Sequence, residues 1–63
     1  MTTTVRVLIE GNKVCSVQVM QPVEGGGQRK EGPEALAKPG EFVTRLIHGA
    51  QYVRVQEVGE FLT

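Results

Sequence analysis

The sequence predicts a mainly β protein in which two antiparallel hairpins, joined by a long Gly/Pro-rich loop, form a small β-sandwich or barrel of four or five strands. Three observations predict this fold. Apolar and polar residues alternate with period two in residues 4–20 and again in 41–58, and both stretches are rich in β-branched side chains. A glycine-containing pair lies inside each stretch, as in a hairpin turn. Residues 21–40 lack the alternation and hold five of the eight glycines and all three prolines.

Residues 4–20 predict the first hairpin, with Gly11-Asn12 at its turn. A two-residue loop there would place valines of one strand beside polar residues of the other, such as Val7 beside Ser16. A three-residue loop, or a two-residue loop with one bulge, instead gathers the apolar residues on one face, and we favour this arrangement. That face carries Val5, Val7, Ile9, Cys15, Val17 and Val19. The opposite face is half polar, and its apolar members are candidates for a protein interface: Leu8, Val14 and Met20.

Residues 21–40 show no periodic pattern of useful length, and a connection this long is usually functional or mobile. Proline at a first helical position, followed by glutamate, favours one helical turn over residues 33–38. Pro39-Gly40 is then expected to end that turn and to bend the chain into the next strand. We therefore expect a mobile loop that contains one helical turn.

Residues 41–58 predict the second hairpin, with Gly49-Ala50 at its tip. With those two residues as the loop, Leu46 pairs with Val53 on one face. Residues 59–63 are expected to form a short added strand or a hydrophobic tail that docks on a neighbour. The face opposite Leu46 is semi-apolar and adds two interface candidates: Val43 and Ile47.

The same hairpin makes Arg45 and Arg54 direct cross-strand neighbours, and like charges in that position destabilise a ladder unless something neutralises them. Tyr52 on the same face would complete a surface for an anion or for a stacked single strand of nucleic acid. Arg29 and Lys30 of the loop could reach the same ligand once several copies assemble. We favour the alternative that glutamates of this chain or of a partner pair with the arginines, because a stacking platform normally uses more than one ring.

The size of the chain points to self-association. It has 63 residues, a mass of 6.9 kDa, and seven basic against seven acidic residues. A chain this small buries only about 60% of its unfolded surface and usually needs a disulfide, a metal or a partner chain. One cysteine and one histidine complete neither a disulfide nor a zinc site. We therefore predict a homo-oligomer, most simply a two-fold dimer, with no metal and no other cofactor.

Composition argues against several classes of function. A net charge of zero provides no general field that would attract nucleic acid or an acidic membrane. No segment approaches the length of an apolar span, and the N-terminus does not resemble a signal peptide, so we expect a soluble cytoplasmic protein without a membrane partner. Catalysis needs several convergent groups, and the chain has no Asp and one each of His, Cys and Ser. We predict no enzyme and no catalytic residues.

Residues 39–43, Pro-Gly-Glu-Phe-Val, are followed by His48 and then by residues 52–58, Tyr-Val-Arg-Val-Gln-Glu-Val. This part of the chain is similar to the C-terminal half of small uncharacterised proteins encoded by tailed phages and prophages. The resemblance implies a virion or accessory component, present in the host cytoplasm or in the virion, with other phage proteins as partners. Overall composition and pattern predict a non-enzymatic structural or protein-interaction protein that acts as a homo-oligomer. The alternative is a small nucleic-acid or anion-binding β module.

Overall fold

A computed structural model describes residues 1–60, which form five β-strands and no helix. The strands are β1 (Thr2–Leu8), β2 (Lys13–Pro22), β3 (Gln28–Ala37), β4 (Phe42–His48) and β5 (Tyr52–Glu60). They form two antiparallel sheets, one in which β1 pairs with β4 and one in which β2 lies between β3 and β5. The prediction of a mainly β fold is confirmed. The part of the predicted tail at residues 61–63 lies outside the described residues.

The chain passes repeatedly between the two sheets, so only one pair of consecutive strands forms a hairpin. That hairpin joins β2 to β3, and the Val23 N–H donates to the Gly27 carbonyl at 3.0 Å to close its loop. Because the two sheets stay separate, the barrel alternative is wrong. The remaining connections each link one sheet to the other: residues 9–12, 38–41 and 49–51.

The pairing predicted for both hairpins is wrong, although the alternation that suggested it is present. β1 pairs with β4 along its whole length rather than with β2. Ile9 extends this ladder, because its N–H donates to the Glu41 carbonyl at 3.0 Å and its carbonyl accepts from the Gly40 N–H at 2.8 Å. Pairing β1 with β2 would place the apolar residues of both strands on one face of a single sheet, and a second layer would then be needed to cover them. Because β1 and β2 belong to different sheets, the apolar residues of one strand can instead cover those of the other.

The core is a cluster of buried apolar residues that come from both sheets. Val17 of β2 is fully buried, and Val43 of β4 is 9% exposed. The cluster around them contains Ile9, Cys15, Val17, Ala37 and Val43, with Val7, Ala35 and Val53 packed against it. We call the faces that carry these residues the inner faces and the opposite ones the outer faces. The residues expected to share one apolar face therefore do point inward, but from two sheets.

β3 occupies half of the segment expected as a mobile loop, so that expectation is not confirmed. It pairs with β2 from Ala37, opposite Cys15, to Gln28, opposite Pro22. The helical turn predicted over residues 33–38 is wrong, because the chain is extended through Ala37. β3 lies at a sheet edge, where most of its side chains are exposed and no period-two pattern is required.

A bulge interrupts the ladder between β2 and β3 opposite Gln18. Residues 32–34 of β3 face this single residue, and Gly32 adopts a φ of +78° there. Gln18 is 1% exposed, and its Nε2 donates to the Glu31 carbonyl at 3.2 Å and to the Gly32 carbonyl at 3.1 Å. The buried amide thus supplies donors to carbonyls that the broken ladder leaves unpaired.

Two of the predicted turns are present. The Glu41 N–H donates across Pro39-Gly40 to the Lys38 carbonyl at 3.0 Å, and Gly40 has a φ of +88°. Proline followed by a glycine with positive φ is the arrangement of a type II turn. Gly49-Ala50 also forms a turn, with Gly49 at a φ of +63°. This second turn carries the chain from β4 into the other sheet and does not close a hairpin ladder.

The molecule is elongated for its length. Its radius of gyration is 12.8 Å, whereas a compact chain of this length is expected to have about 10.6 Å. Its longest dimension is 42 Å and its shortest is 16 Å. An extended shape leaves much of the surface of a small protein outside its core. Within residues 1–60, no helix is long and apolar enough to cross a membrane.

Candidate functional site

Arg45 and Arg54 are not cross-strand neighbours, because their strands belong to different sheets. Arg45 pairs with Val5 and lies on the inner face of the β1–β4 sheet. Arg54 pairs with Gln18, which alternates with the inward-pointing Val17 and so lies on the outer face of the three-stranded sheet. The pairing predicted for the two arginines is wrong, and the charge conflict that it implied does not arise.

Three of the five predicted anion contacts do come together, on the outer face of the three-stranded sheet. Lys30 and Tyr52 flank Met20 on the neighbouring strands, and Arg54 follows Tyr52 on the same face of β5. Tyr52 and Arg54 are half-buried, and Lys30 is exposed. Met20 is only 4% exposed although it lies on this outer face, because long side chains on both sides cover it. We call Lys30, Tyr52 and Arg54 the cationic platform.

Glu34 places a negative charge at the border of the cationic platform. The Ser16 hydroxyl donates a hydrogen bond to its carboxylate, and Ser16 lies on the same outer face as Gln18. This acceptor also explains how a serine that is 4% exposed remains satisfied. The carboxylate reduces the attraction of the platform for a polyanion.

Arg29 does not join the platform. Its Nη2 lies 3.0 Å from Oε1 of Glu31, two residues along β3. Arg29 pairs with Gln21, one position away from the row that contains Lys30, so the two basic side chains leave the sheet on opposite faces. The ion pair adds little stability because its arginine is 66% exposed, but it places a positive charge beside Glu31.

The predicted interface residues separate into buried and exposed groups. Val43 belongs to the core and Met20 is buried, so neither offers a free surface. Val14 and Ile47 are half-buried. Leu8 is 56% exposed on the outer face of the β1–β4 sheet. Of the five candidates, only Leu8 lies on an open apolar surface.

Leu8 lies in an apolar surface that the sequence pattern did not reveal. Phe42 of β4 lies directly across from Leu8. Leu46 lies four residues further along β4 on the same face, beyond the Arg6–Thr44 pair. Phe42 is 60% exposed and Leu46 is 61% exposed. The Arg6 guanidinium carbon lies 5.4 Å from the centroid of the Phe42 ring and covers part of it. We call Leu8, Phe42 and Leu46 the apolar face.

The sequence pattern made Val43 and Ile47, and not Leu46, the interface candidates of β4, because it assumed that β4 pairs with β5. With β1 as its real partner, β4 turns the positions 43, 45 and 47 inward and leaves the even positions outside. The alternation of β4 alone cannot show which set is covered, since both sets contain large apolar residues. The sequence of β1 did contain such a signal, because the polar residues Thr4 and Arg6 indicate which face of that strand points outward.

The residue types used in hydrolytic and metal chemistry are not assembled into a centre. Ser16 is bound to Glu34, and Cys15 is buried in the core. His48 is exposed at the end of β4. Within residues 1–60, no group of three or more His, Cys, Asp or Glu side chains is placed to hold a metal ion.

Comparison with protein-family models, with curated proteins and with solved structures finds no match to this chain. The candidate sites are therefore the apolar face, the cationic platform and the inner-facing Arg45.

Proposed function

We propose that this chain is a non-enzymatic interaction protein that acts as a homo-oligomer, and that the apolar face is its contact with a second copy. The observation that carries the proposal is the exposure of Leu8, Phe42 and Leu46, at 56%, 60% and 61%, on one face of a sheet of only two strands. Exposed apolar side chains that cluster on one surface mark interaction sites more often than scattered ones do.

The β1–β4 sheet is the weaker of the two sheets and gains most from a partner. A two-stranded sheet is marginally stable on its own and needs a third strand or a packed layer. Its inner face contacts β2 and β3 through the core, while its outer face is open. We interpret the two sheets as a small open sandwich, and we expect a partner to cover the outer face of the β1–β4 sheet.

The partner that fits best is another copy of the same chain. A net charge of zero removes the long-range repulsion that keeps charged monomers apart. An isologous contact would place the apolar face of one copy on the same face of the other. Three side chains cover less than the roughly 800 Å² that each partner usually contributes, so we expect pairing along the edge of β1 or β4 to complete the contact.

A phage or prophage context is part of the proposal. It rests only on the resemblance that the sequence of residues 39–58 suggests. A self-associating β protein suits a virion or accessory component, since such components act by assembly. Other phage proteins would then be further partners.

The test is the solution mass of purified protein, measured by light scattering behind size exclusion over a range of concentrations. We expect a multiple of 6.9 kDa for the wild type. Phe42→Ser and Leu46→Ser should each weaken association at least about tenfold, because truncating a central apolar contact costs about 2 kcal/mol. Val58→Ser is the matched control, because Val58 is 55% exposed on β5 of the other sheet. A wild-type mass of 6.9 kDa at all concentrations, or equal effects of Leu46→Ser and Val58→Ser, contradicts the proposal.

The second candidate function is a small anion or nucleic-acid module, and one observation favours it. The cationic platform brings Lys30, Tyr52 and Arg54 onto one face, with a single ring between two positive charges. The test is the anisotropy of a labelled single-stranded oligonucleotide at two salt concentrations. Arg54→Gln should weaken binding and reduce its salt dependence, whereas Arg6→Gln on the other sheet should not. Absence of binding at low salt, or equal effects of the two substitutions, removes this candidate.

A further inference from the structure

An open pocket of about 320 Å³ lies beside the turn between β4 and β5. Arg45, His48 and Gln51 contribute its wall on one side, and the bulge of β3 contributes Glu31 and Gly32 on the other. Val19 of β2 also lines the pocket and is 6% exposed. The pocket therefore combines polar side chains from two sheets with an apolar surface, which is typical of a site for a small ligand.

Arg45 is the unusual residue of this pocket. Its side chain lies on the inner face of the β1–β4 sheet, at the position between Val43 and Ile47, and is half-buried. Its Nη1 donates to the Thr44 carbonyl at 2.9 Å. No carboxylate of residues 1–59 forms an ion pair with it. A guanidinium has five N–H donors in a fixed plane, so most of them remain available in the pocket.

The other polar groups of the pocket complement a negative charge. Gln51 Oε1 accepts a hydrogen bond from the His48 N–H at 3.0 Å, which leaves the amide NH₂ of Gln51 as a donor. Glu31 would oppose an anion, but Arg29 lies 3.0 Å from its carboxylate and offsets its charge. Donors therefore outnumber acceptors around the space that Arg45 lines.

We propose that this pocket binds a small oxyanion, a carboxylate or a phosphate group, with Arg45 as its main contact and with Gln51 as an additional donor. The planar guanidinium fork matches two oxygens of either group and binds them in a bidentate way. The apolar wall at Val19 excludes water from one side and strengthens the charged hydrogen bonds. Leu46 of the apolar face also lines the pocket, but the inference does not rest on homo-oligomer formation, because its main contact, Arg45, lies on the inner face of the sheet.

The volume of the pocket indicates the class of ligand. Pockets for small molecules range from about 300 to 1,000 Å³, and this one lies near the lower limit. It can hold one oxyanion with a short apolar group against Val19. A polymeric anion needs an open surface such as the cationic platform. We therefore expect the pocket and the cationic platform to differ in their ligands as well as in their residues.

The test is a titration of ¹⁵N-labelled wild-type protein with inorganic phosphate in one arm and with sodium butyrate in the other. Ionic strength is held constant with chloride. We expect saturable shifts of the Gly32, Gln51 and His48 amide signals, with a dissociation constant in the millimolar range. A stronger effect of butyrate identifies a carboxylate ligand with an apolar group, and a stronger effect of phosphate identifies a phosphate ligand.

Variants then locate the contact. Arg45→Gln should weaken binding by about tenfold, as expected for the loss of a charged hydrogen bond, and Arg45→Lys should recover only part of it. Arg6→Gln is the matched control, since Arg6 lies on the outer face of the same sheet. If neither anion gives saturable shifts around the pocket in the wild type, the proposal is overturned. It is also overturned if folded Arg45→Gln binds as the wild type does. The titration of the wild-type protein tests the proposal even if Arg45→Gln does not fold.

Discussion

Replacing Gln18 with methionine tests how the three-stranded sheet tolerates its bulge. Methionine keeps the length and the flexibility of the side chain but removes both amide hydrogens. In the native protein the Gln18 Nε2 donates to the carbonyls of Val19, Glu31 and Gly32 at 3.0, 3.2 and 3.1 Å. The substitution therefore leaves acceptors beside the bulge without a donor, in a place where the side chain is 1% exposed.

The expected cost follows from the number of donors. Two N–H groups serve three carbonyls, so two hydrogen bonds are lost, each contributing about 0.5–1.5 kcal/mol, and buried acceptors are left unpaired at a further cost. We expect Gln18→Met to lower the free energy of unfolding by about 2–3 kcal/mol. A chain of this length has a total stability of about 3–9 kcal/mol. The melting temperature should then fall by about 10–20 °C.

The assay is urea and thermal unfolding followed by circular dichroism, at one fixed protein concentration so that association does not alter the comparison. Gln56→Met is the matched control, because Gln56 lies on the same outer face of the sheet and is exposed. We expect the control to change stability by less than about 0.5 kcal/mol. Equal stabilities of Gln18→Met and Gln56→Met would refute the reasoning, since the buried amide would then not support the bulge.

Three further predictions concern the core and the turns. Val17→Ala removes two methyl groups from a fully buried site and should cost about 1.5–3 kcal/mol in urea unfolding; a cost below about 0.5 kcal/mol would mean that the core is loose there. Gly40→Ala should cost about 1 kcal/mol because alanine is strained at a φ of +88°, while Gly59→Ala, which lacks both a positive φ and a close neighbour, should not destabilise the protein. The Cys15 thiol, which is 8% exposed, should react with an aromatic disulfide reagent far more slowly in native buffer than in denaturant, and equal rates would show that it is accessible.

Alternation in the sequence was sufficient to predict β1 and β2 and the direction of their side chains. β1 and β2 form where period-two alternation indicates them, and Ile9, Cys15 and Val17 point into the core as expected. Alternation specifies only the face on which a side chain lies. It does not specify the partner strand, because β1 makes equally regular pairs with any strand that offers a matching edge. The pairing of β1 with β4 depends on how two sheets cover each other, which is a property of the whole chain.

β3 shows why an edge strand is difficult to predict from its own residues. Its sequence, QRKEGPEALA, contains glycine, proline and four charged residues, all of which are depleted in strands. The strand forms because β2 offers it a ladder and because Gln18 supplies donors at its bulge. Charged residues and proline are also common at sheet edges, where they discourage pairing with other chains. Local propensity therefore favoured a loop where tertiary pairing produces a strand.

The candidate sites were predictable only in part, for the same reason. Tyr52 and Arg54 share a face because they are two residues apart on one strand, and this follows from the sequence alone. The addition of Lys30 to that face depends on β3, which the sequence did not reveal. The apolar face and the inward position of Arg45 depend on the pairing of β4, so neither could be derived before that pairing was known.

The measurement that tests the central claim most directly is a search for contacts between copies by isotope-filtered NMR on a mixture of labelled and unlabelled protein. The account predicts intermolecular nuclear Overhauser effects between the Phe42 ring of one copy and the methyl groups of Leu8 or Leu46 in the other, because these side chains form the apolar face. Intermolecular contacts that involve only Leu36 or Val58, which are also exposed, would contradict it. So would a complete lack of intermolecular contacts at millimolar concentration.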